Sequence, residues 1–316
     1  MKKWLLVAGC AIVVIVAIIA IIMICRGKSS KSRVYFTSDI SADGLVRAYN
    51  ALNWEPHGLV AVKISTGEPP HSNYLRPELI KKLIQSVKGT IVECNTAYNG
   101  ARSDSKSHWN VIRKHGFTDI APVDIQDEEG SIALPVNGGK VLTENYVGSH
   151  FDNYDSYIVL SHFKGHQMAG FGGALKNISI GFGSRMGKFW IHSAGRSKDT
   201  WMDDDQIGFL EAMADAGRAV VDHLGRKNIV YINVLNRISV DCDCNGNPAE
   251  PDIHDIGILA STDPVALDQA SFDMVSNAAG REKLMERISD RHGVHTLETA
   301  AEIGLGSRKY KLINID

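Results

Sequence analysis

The sequence contains few cysteines and only a small net charge. Five of its 316 residues are cysteine, which excludes the disulfide-rich scaffolds of small secreted domains. Glycine and proline are present in ordinary numbers, 29 and 9 residues, and 44% of the chain is hydrophobic. This composition excludes collagen-like and intrinsically disordered chains. The chain is therefore long and apolar enough to bury a large core.

The small net charge of −2 conceals an uneven distribution. Residues 1–33 carry six basic side chains and no acidic one, which leaves 28 basic against 36 acidic residues in the remainder. The body of the chain thus has a formal charge of −8. A negative body is repelled by phosphate backbones, so we predict no nucleic-acid partner.

The N-terminal segment predicts a membrane anchor. Residues 4–25 contain no charged side chain, and as a helix they would span roughly 33 Å, about the thickness of a bilayer core. We predict a single-pass signal anchor over residues 1–26, a linker over 27–33 and one domain over 34–316. The short basic start before the apolar run favours an extracytoplasmic body. Lipidation at Cys10 after a lipoprotein-like cleavage is the alternative.

The body alternates short apolar runs with amphipathic stretches. This alternation predicts an α/β fold with a mainly parallel sheet and flanking helices, and a β excursion over 120–147. The predicted strands are 34–38, 59–65, 90–95, 157–163, 228–234, 255–261 and 310–315. The predicted helices are 43–53, 77–88, 106–115, 204–224 and 263–277, with two more near the end. Asp263 is the predicted N-cap of the helix that starts at Pro264.

Candidate site residues follow from the rule that open parallel sheets bind ligands beyond the carboxyl ends of their strands. Polar side chains stand at or after several predicted strand ends, and we expect them to converge on one rim. The candidates for binding an anionic ligand are Lys63, Glu93, Asn95, Lys176 and Asn177.

The segment His162, Lys164 and His166 suits two functions. Neutral imidazoles at this spacing can share a metal ion, and the ammonium between them can hold an anion or take part in proton transfer. The alternative is that both histidines hydrogen-bond the loop backbone.

Cys242 and Cys244 are separated by one residue, so in an extended segment both sulfurs point to one face. Two thiolates there could bind Zn, Cu or Fe, or the pair could cycle as a disulfide. Flanking Asp241 and Asp243 would raise the thiol pKa values unless a cation is nearby. The alternative is two small buried side chains.

The glycine-rich run from Gly170 to Gly173 matches neither the dinucleotide fingerprint nor the P-loop. It could place a helix N-terminus against an anion, although close backbone packing explains such glycines equally well. Residues 184–188 add two cations, most simply in a solvated loop, and His192 is a further candidate ligand.

Several of these motifs together resemble a known family. The segments 161–166, 170–177, 241–244, 255–261 and 263–268 look like the domain-of-unknown-function 362 family, often labelled uncharacterised Fe-S centre proteins. The resemblance runs from about residue 34 to the C-terminus. It implies no settled reaction.

Many members of that family carry an inserted ferredoxin-like pair of four-cysteine motifs, which this chain lacks. Phe182 also stands where many relatives have a cysteine. Two of the five cysteines lie within residues 4–25. We therefore expect no ferredoxin-type [4Fe-4S] cluster.

The leading hypothesis is a membrane-anchored metal-binding or redox protein, such as a metal-dependent oxidoreductase with a partner protein. In it, Lys164 and His166 are the candidate catalytic residues and the metal is Zn or Fe. The metal ligands would come from His162, His166, His192, Cys242 and Cys244. The alternative hypothesis is a non-catalytic binding module for an anionic small molecule.

Overall fold

The structure, a computed structural model, describes residues 31–316. Among these residues, no helix is both long and apolar enough to cross a bilayer. The predicted anchor over residues 1–26, Cys10 within it, and residues 27–30 of the predicted linker lie outside the described residues.

Eight strands form one central sheet: β1 (Ser32–Thr37), β2 (Val60–Lys63), β3 (Thr90–Glu93), β4 (Val123–Ile125), β7 (Ser156–His162), β10 (Ile229–Leu235), β11 (Gly257–Ser261) and β12 (Tyr310–Asn314). Their order across the sheet is β12-β1-β11-β10-β7-β2-β3-β4. All pairs are parallel except those of β11, which runs antiparallel to both β1 and β10. The prediction of a mainly parallel sheet is confirmed.

The antiparallel strand β11 has a simple cause. The segment between β10 and β11 contains no helix, and a parallel return would need a long crossover over one face of the sheet. Two small hairpins complete the β-structure: β5 (Ser131–Pro135) with β6 (Glu144–Gly148), and β8 (Lys164–His166) with β9 (Gly170–Gly172). The first hairpin lies within the predicted β excursion.

Helices cover both faces of the sheet. Side chains of β7 and β10 alternate between two hydrophobic clusters, so Tyr157 packs on one face and Ile158 on the other. Every residue of both strands is buried, as expected for central parallel strands. The helices of one face are Ala42–Ala51, Pro77–Ser86 and Ser105–Lys114. Those of the other face are Gln206–Leu224, Pro264–Ser276, Glu282–Asp290 and Val294–Glu302.

Local signals fix several helix ends. The carboxylate of Asp263 accepts hydrogen bonds from the backbone N–H groups of Val265 and Ala266, which confirms the predicted cap before Pro264. The predicted loop over residues 184–188 is wrong, because Arg185–His192 is a helix whose Ser184 hydroxyl caps Gly187. The cation Lys188 is consequently buried.

Candidate functional site

A pocket of about 330 Å³ lies where β2, β3 and β7 end and the Cys242–Cys244 segment after β10 begins. Most of the predicted site residues line it, as the strand-end rule implies. These are Lys63, Glu93, His162, Lys164, His166, Lys176, Asn177, His192, Cys242 and Cys244. Asn95 is not part of the described lining; its amide donates to Ser105 Oγ at 3.0 Å and its Oδ1 lies 3.2 Å from His108 Nδ1.

Four lysines line this pocket and only one of them has a carboxylate partner. Lys164 Nζ donates to Asp243 Oδ2 at 2.5 Å. Lys63 donates to the carbonyl of Ile64 at 2.7 Å and Lys188 to that of Gly183 at 2.5 Å. Lys176 makes no side-chain hydrogen bond within the described chain. Among residues 31–316, no carboxylate lies within ion-pair distance of Lys63, Lys176 or Lys188.

The surroundings disfavour the charged form of three of these amines. Burial lowers the pKa of Lys164 even though Asp243 beside it favours the charged form. Burial lowers the pKa of Lys63 to about 8. Burial and the neighbouring ammonium groups of Lys164 and Lys188 lower the pKa of Lys176 to about 7. Both effects have the expected sign, since desolvation and like charges oppose protonation of an amine.

Asp243 is the central acid of the pocket. Its carboxylate accepts from Lys164 and lies 2.9 Å from His162 Nδ1. Burial alone would raise its pKa, but Lys164 and His162 hold the pKa of Asp243 well below its usual range. The other ring nitrogen of His162 is 2.6 Å from the carbonyl of Asn236. Both nitrogens of His162 are therefore engaged, and neither is open to a metal in this structure.

A second buried ion network contributes Glu93 and Arg102 to the lining. Arg102 donates to Glu93 at 2.9 Å and to Glu68 at 3.1 Å. Burial alone would raise the pKa of Glu93, but Arg102 and His108 hold it well below its usual range. Sequence reasoning missed Arg102, although its place between β3 and the following helix satisfies the strand-end rule.

Hydrogen bonds assign opposite tautomers to two histidines of the pocket. His166 Nδ1 accepts from the N–H groups of Met168 at 3.2 Å and Ala169 at 3.0 Å, so the hydrogen of the neutral ring is on Nε2. His192 Nδ1 lies 2.6 Å from the carbonyl of Lys188, so its hydrogen is on Nδ1 and Nε2 carries a lone pair.

Both rings are neutral at physiological pH. Burial, then the nearby Lys176, lowers the pKa of His166 well below its ordinary value. Burial lowers the pKa of His192 to about 3. His166 therefore presents a donor, and His192 an acceptor.

Cys242 and Cys244 form a disulfide in the wall of the pocket. The backbone N–H of Cys244 is 3.3 Å from Cys242 Sγ. The two sulfurs and one ring nitrogen of His166 lie within 4.8 Å of one another, so this group could hold a metal ion. Thiolate and imidazole ligands suit Zn or Fe, and the dithiol form of the pair would supply the thiolates.

The glycine-rich run does not present a free helix N-terminus. The backbone N–H groups of Ala174 and Leu175 donate to the carboxylate of Asp268 at 2.7 and 2.8 Å. A Cβ on Gly173 would lie only 2.4 Å from that carboxylate. Of the two alternatives for this run, the structure favours close backbone packing, because Asp268 already accepts from the N–H groups that an anion could have bound.

Comparisons with known proteins identify a family. A model of the family described as "Domain of unknown function (DUF362)" matches residues 60–273. No curated protein matches the chain.

Two similar solved structures have low identity. A lactate racemase apoprotein from Thermoanaerobacterium thermosaccharolyticum is 12% identical with a TM-score of 0.45, covering 78% of this chain and 57% of that one. A protein from Thermotoga maritima is 12% identical with a TM-score of 0.39, covering 83% and 58%. The chain thus spans less than two thirds of either protein.

Proposed function

Because the chain belongs to the DUF362 family, whose description assigns no reaction, we propose a function from the pocket itself: it binds a small molecule that carries more than one negative charge. The observation that carries this proposal is the set of three pocket lysines without carboxylate partners, Lys63, Lys176 and Lys188. A desolvated ammonium is unfavourable unless it is paired. An anion in the pocket would supply the missing partner.

The charge balance of the lining supports the same proposal. Four lysines and Arg102 face two carboxylates, those of Glu93 and Asp243. When all lysines are protonated, the excess is three positive charges. A concave, partly desolvated surface with such an excess attracts multivalent anions such as carboxylates or phosphates.

We expect citrate and inorganic pyrophosphate to raise the melting temperature of the full-length protein at pH 7, because they bind the native state. The increase should become smaller at pH 9.5, where Lys63 and Lys176 are neutral in the free protein. Thermal denaturation with each anion, and with glycerol as an uncharged control, measures this. Identical melting temperatures with and without millimolar anion would overturn the proposal.

A metal centre is the second candidate function, supported by the grouping of His166, Cys242 and Cys244. Metal binding would require two changes: reduction of the disulfide, and transfer of the His166 hydrogen away from Nε2 or release of the N–H bonds to Nδ1. A bound Zn or Fe ion would supply a Lewis acid beside the anion. His192, whose Nε2 already carries a lone pair, is a further candidate ligand.

For this second function we expect the anaerobically reduced, full-length protein to retain about one zinc ion per chain after desalting, because two thiolates bind zinc tightly. The oxidised protein and the double variant Cys242→Ser/Cys244→Ser should retain none, whereas Cys94→Ser should behave as the parent does. Elemental analysis measures the stoichiometry. Equal zinc in the reduced parent and the double variant would exclude the site.

We also propose that the chain is anchored in a membrane by its N-terminal segment. Residues 4–25 would anchor the chain in a membrane, with the pocket domain outside the cytoplasm and a redox protein or a free small anion as its partner. The charge-free length of that segment and the basic residues around it support this. Labelling of the cysteines in intact cells with an impermeant reagent would decide the orientation.

A further inference from the structure

We propose that the Cys242–Cys244 disulfide is a redox-active centre that exchanges with a small anionic thiol bound in the pocket. This inference rests on the proposed anion-binding function and names its substrate class. It is carried by one juxtaposition: a disulfide and three lysines without carboxylate partners line the same 330 Å³ pocket.

The two cysteines differ in solvent exposure. Cys242 is almost fully buried, with 5% of its surface exposed, whereas Cys244 is partly exposed. An incoming thiolate therefore reaches Cys244 Sγ first, and the sulfur of Cys242 becomes the leaving group.

One N–H group already donates to the leaving sulfur, and a second donor is nearby. The N–H of Cys244 lies 3.3 Å from Cys242 Sγ. One ring nitrogen of His166 lies within 4.8 Å of both sulfurs. Because Nδ1 of this ring accepts from two backbone N–H groups, its free donor is Nε2–H. Donated hydrogen bonds and nearby ammonium groups stabilise a thiolate.

The flanking acids do not oppose this chemistry as the sequence suggested. The carboxylate of Asp243 is paired with Lys164 at 2.5 Å and lies 2.9 Å from His162. Asp241 is 3.9 Å from Arg287 and accepts from the N–H of Ala249. Neighbouring groups thus compensate these negative charges, which weakens the repulsion between the carboxylates and a thiolate on either cysteine.

The exchange balances without any other reactant. The thiolate RS⁻ attacks Cys244 Sγ, the S–S bond breaks, and its electron pair leaves on Cys242 Sγ, which then takes up a proton. A second thiol attacks the mixed disulfide and releases RSSR. In total, two RSH molecules are oxidised to RSSR and the protein disulfide is reduced to two thiols.

The test measures how fast three thiols reduce this disulfide in oxidised full-length protein. The probes are mercaptosuccinate, 2-mercaptoethanol and cysteamine, which are anionic, neutral and cationic, with rates expressed per thiolate. Alkylation followed by peptide mass spectrometry follows Cys242 and Cys244 separately from the other cysteines. We expect mercaptosuccinate to react at least about tenfold faster than cysteamine, because charge steers encounter, and Lys176→Met to slow only mercaptosuccinate.

Two single-cysteine variants, each able to retain a mixed disulfide, test the exchange without a comparison of rates. When Cys242→Ser is treated with the disulfide of mercaptosuccinate, a stable mixed disulfide should form on Cys244. Cys244→Ser should form less mixed disulfide, because its remaining Cys242 is buried. Equal rates for the three thiols, or equal trapping in both variants, would refute the exchange site. If anions still raise the melting temperature of the same samples, the anion-binding proposal survives that refutation; if they do not, both fail.

Discussion

Replacing Lys176 with methionine is expected to weaken citrate or pyrophosphate binding by about tenfold to a hundredfold, the usual effect of losing one charge-assisted contact. The same change should stabilise the free protein, because it removes a half-buried ammonium without a carboxylate partner. Methionine keeps the length and apolar contacts of the lysine stem. Binding and stability would thus move in opposite directions, as expected for a residue retained for function.

The pH dependence of that stabilisation has a defined sign. Lys176 has a pKa of about 7 in the folded chain against an ordinary value of 10.5, so between these values the unfolded chain binds more protons. The contribution of Lys176 to the stability of the parent protein therefore becomes less unfavourable as the pH rises across this range. The gain from Lys176→Met should be on the order of 2–4 kcal/mol below pH 7 and should vanish near pH 10.5.

Urea unfolding of the full-length protein at pH 6.5 and pH 9.5 measures this difference. The exposed Lys81→Met is the matched control and should change stability by less than about 0.5 kcal/mol at both pH values. A destabilised Lys176→Met protein at pH 6.5, or unchanged anion affinity, would contradict the role given to Lys176.

The second large effect is expected from Asp243→Asn, which should lower the free energy of unfolding by about 3–5 kcal/mol. The substitution leaves the ammonium of Lys164 buried without its carboxylate, and it replaces the charged acceptor beside His162 with a neutral amide. The pKa of Asp243 lies well below its usual range in the folded chain. Its stabilisation is therefore present above about pH 4 and is lost as the pH falls below that value.

A double-mutant cycle with Lys164→Met tests the origin of that effect. Removing both charges should restore part of the lost stability, because no unpaired ion is left. Asp241→Asn, a neighbouring and more exposed carboxylate, should lower stability by about 1 kcal/mol or less. Strictly additive effects of Asp243→Asn and Lys164→Met would show that the ion pair is not the cause. Chemical unfolding curves of the four proteins give the answer.

Much of the fold could be predicted from local patterns. Apolar runs placed the central strands β7 and β10 within a residue of their observed ends, because strands buried on both faces are predominantly apolar. Asp263 before Pro264 identified a helix start. The antiparallel direction of β11 was not predictable in the same way, since direction depends on what lies between strands rather than on a strand's own residues.

The candidate site was predictable in position but not in detail. The strand-end rule brought Lys63, His162 and Lys176 to one pocket. It could not show that His162 has both ring nitrogens engaged, because Asp243 and Asn236 are distant in sequence. Hydrogen-bond partners from other strands and helices depend on tertiary packing, and the pattern of residues along the sequence does not reveal them.

Two segments differ from what their local pattern indicates. Asp268 lies more than ninety residues after Ala174, yet its carboxylate caps that N-terminus. Lys188 followed a glycine in a polar stretch typical of a loop, whereas the helix Arg185–His192 carries it into the pocket. The first error arose because a distant carboxylate accepts from the N–H groups that an anion could have bound. The second arose because the adjacent Ser184 caps a helix in that polar stretch.

The most direct test of the anion-binding pocket is the number of protons taken up when citrate binds. Isothermal titration calorimetry of the full-length protein at pH 8, in two buffers of different ionisation enthalpy, yields that number. An anion stabilises the ammonium forms of Lys63 and Lys176, so we predict uptake on the order of one proton, most of it lost in Lys176→Met. Citrate binding with no proton uptake, or no binding at millimolar concentration, would contradict the account.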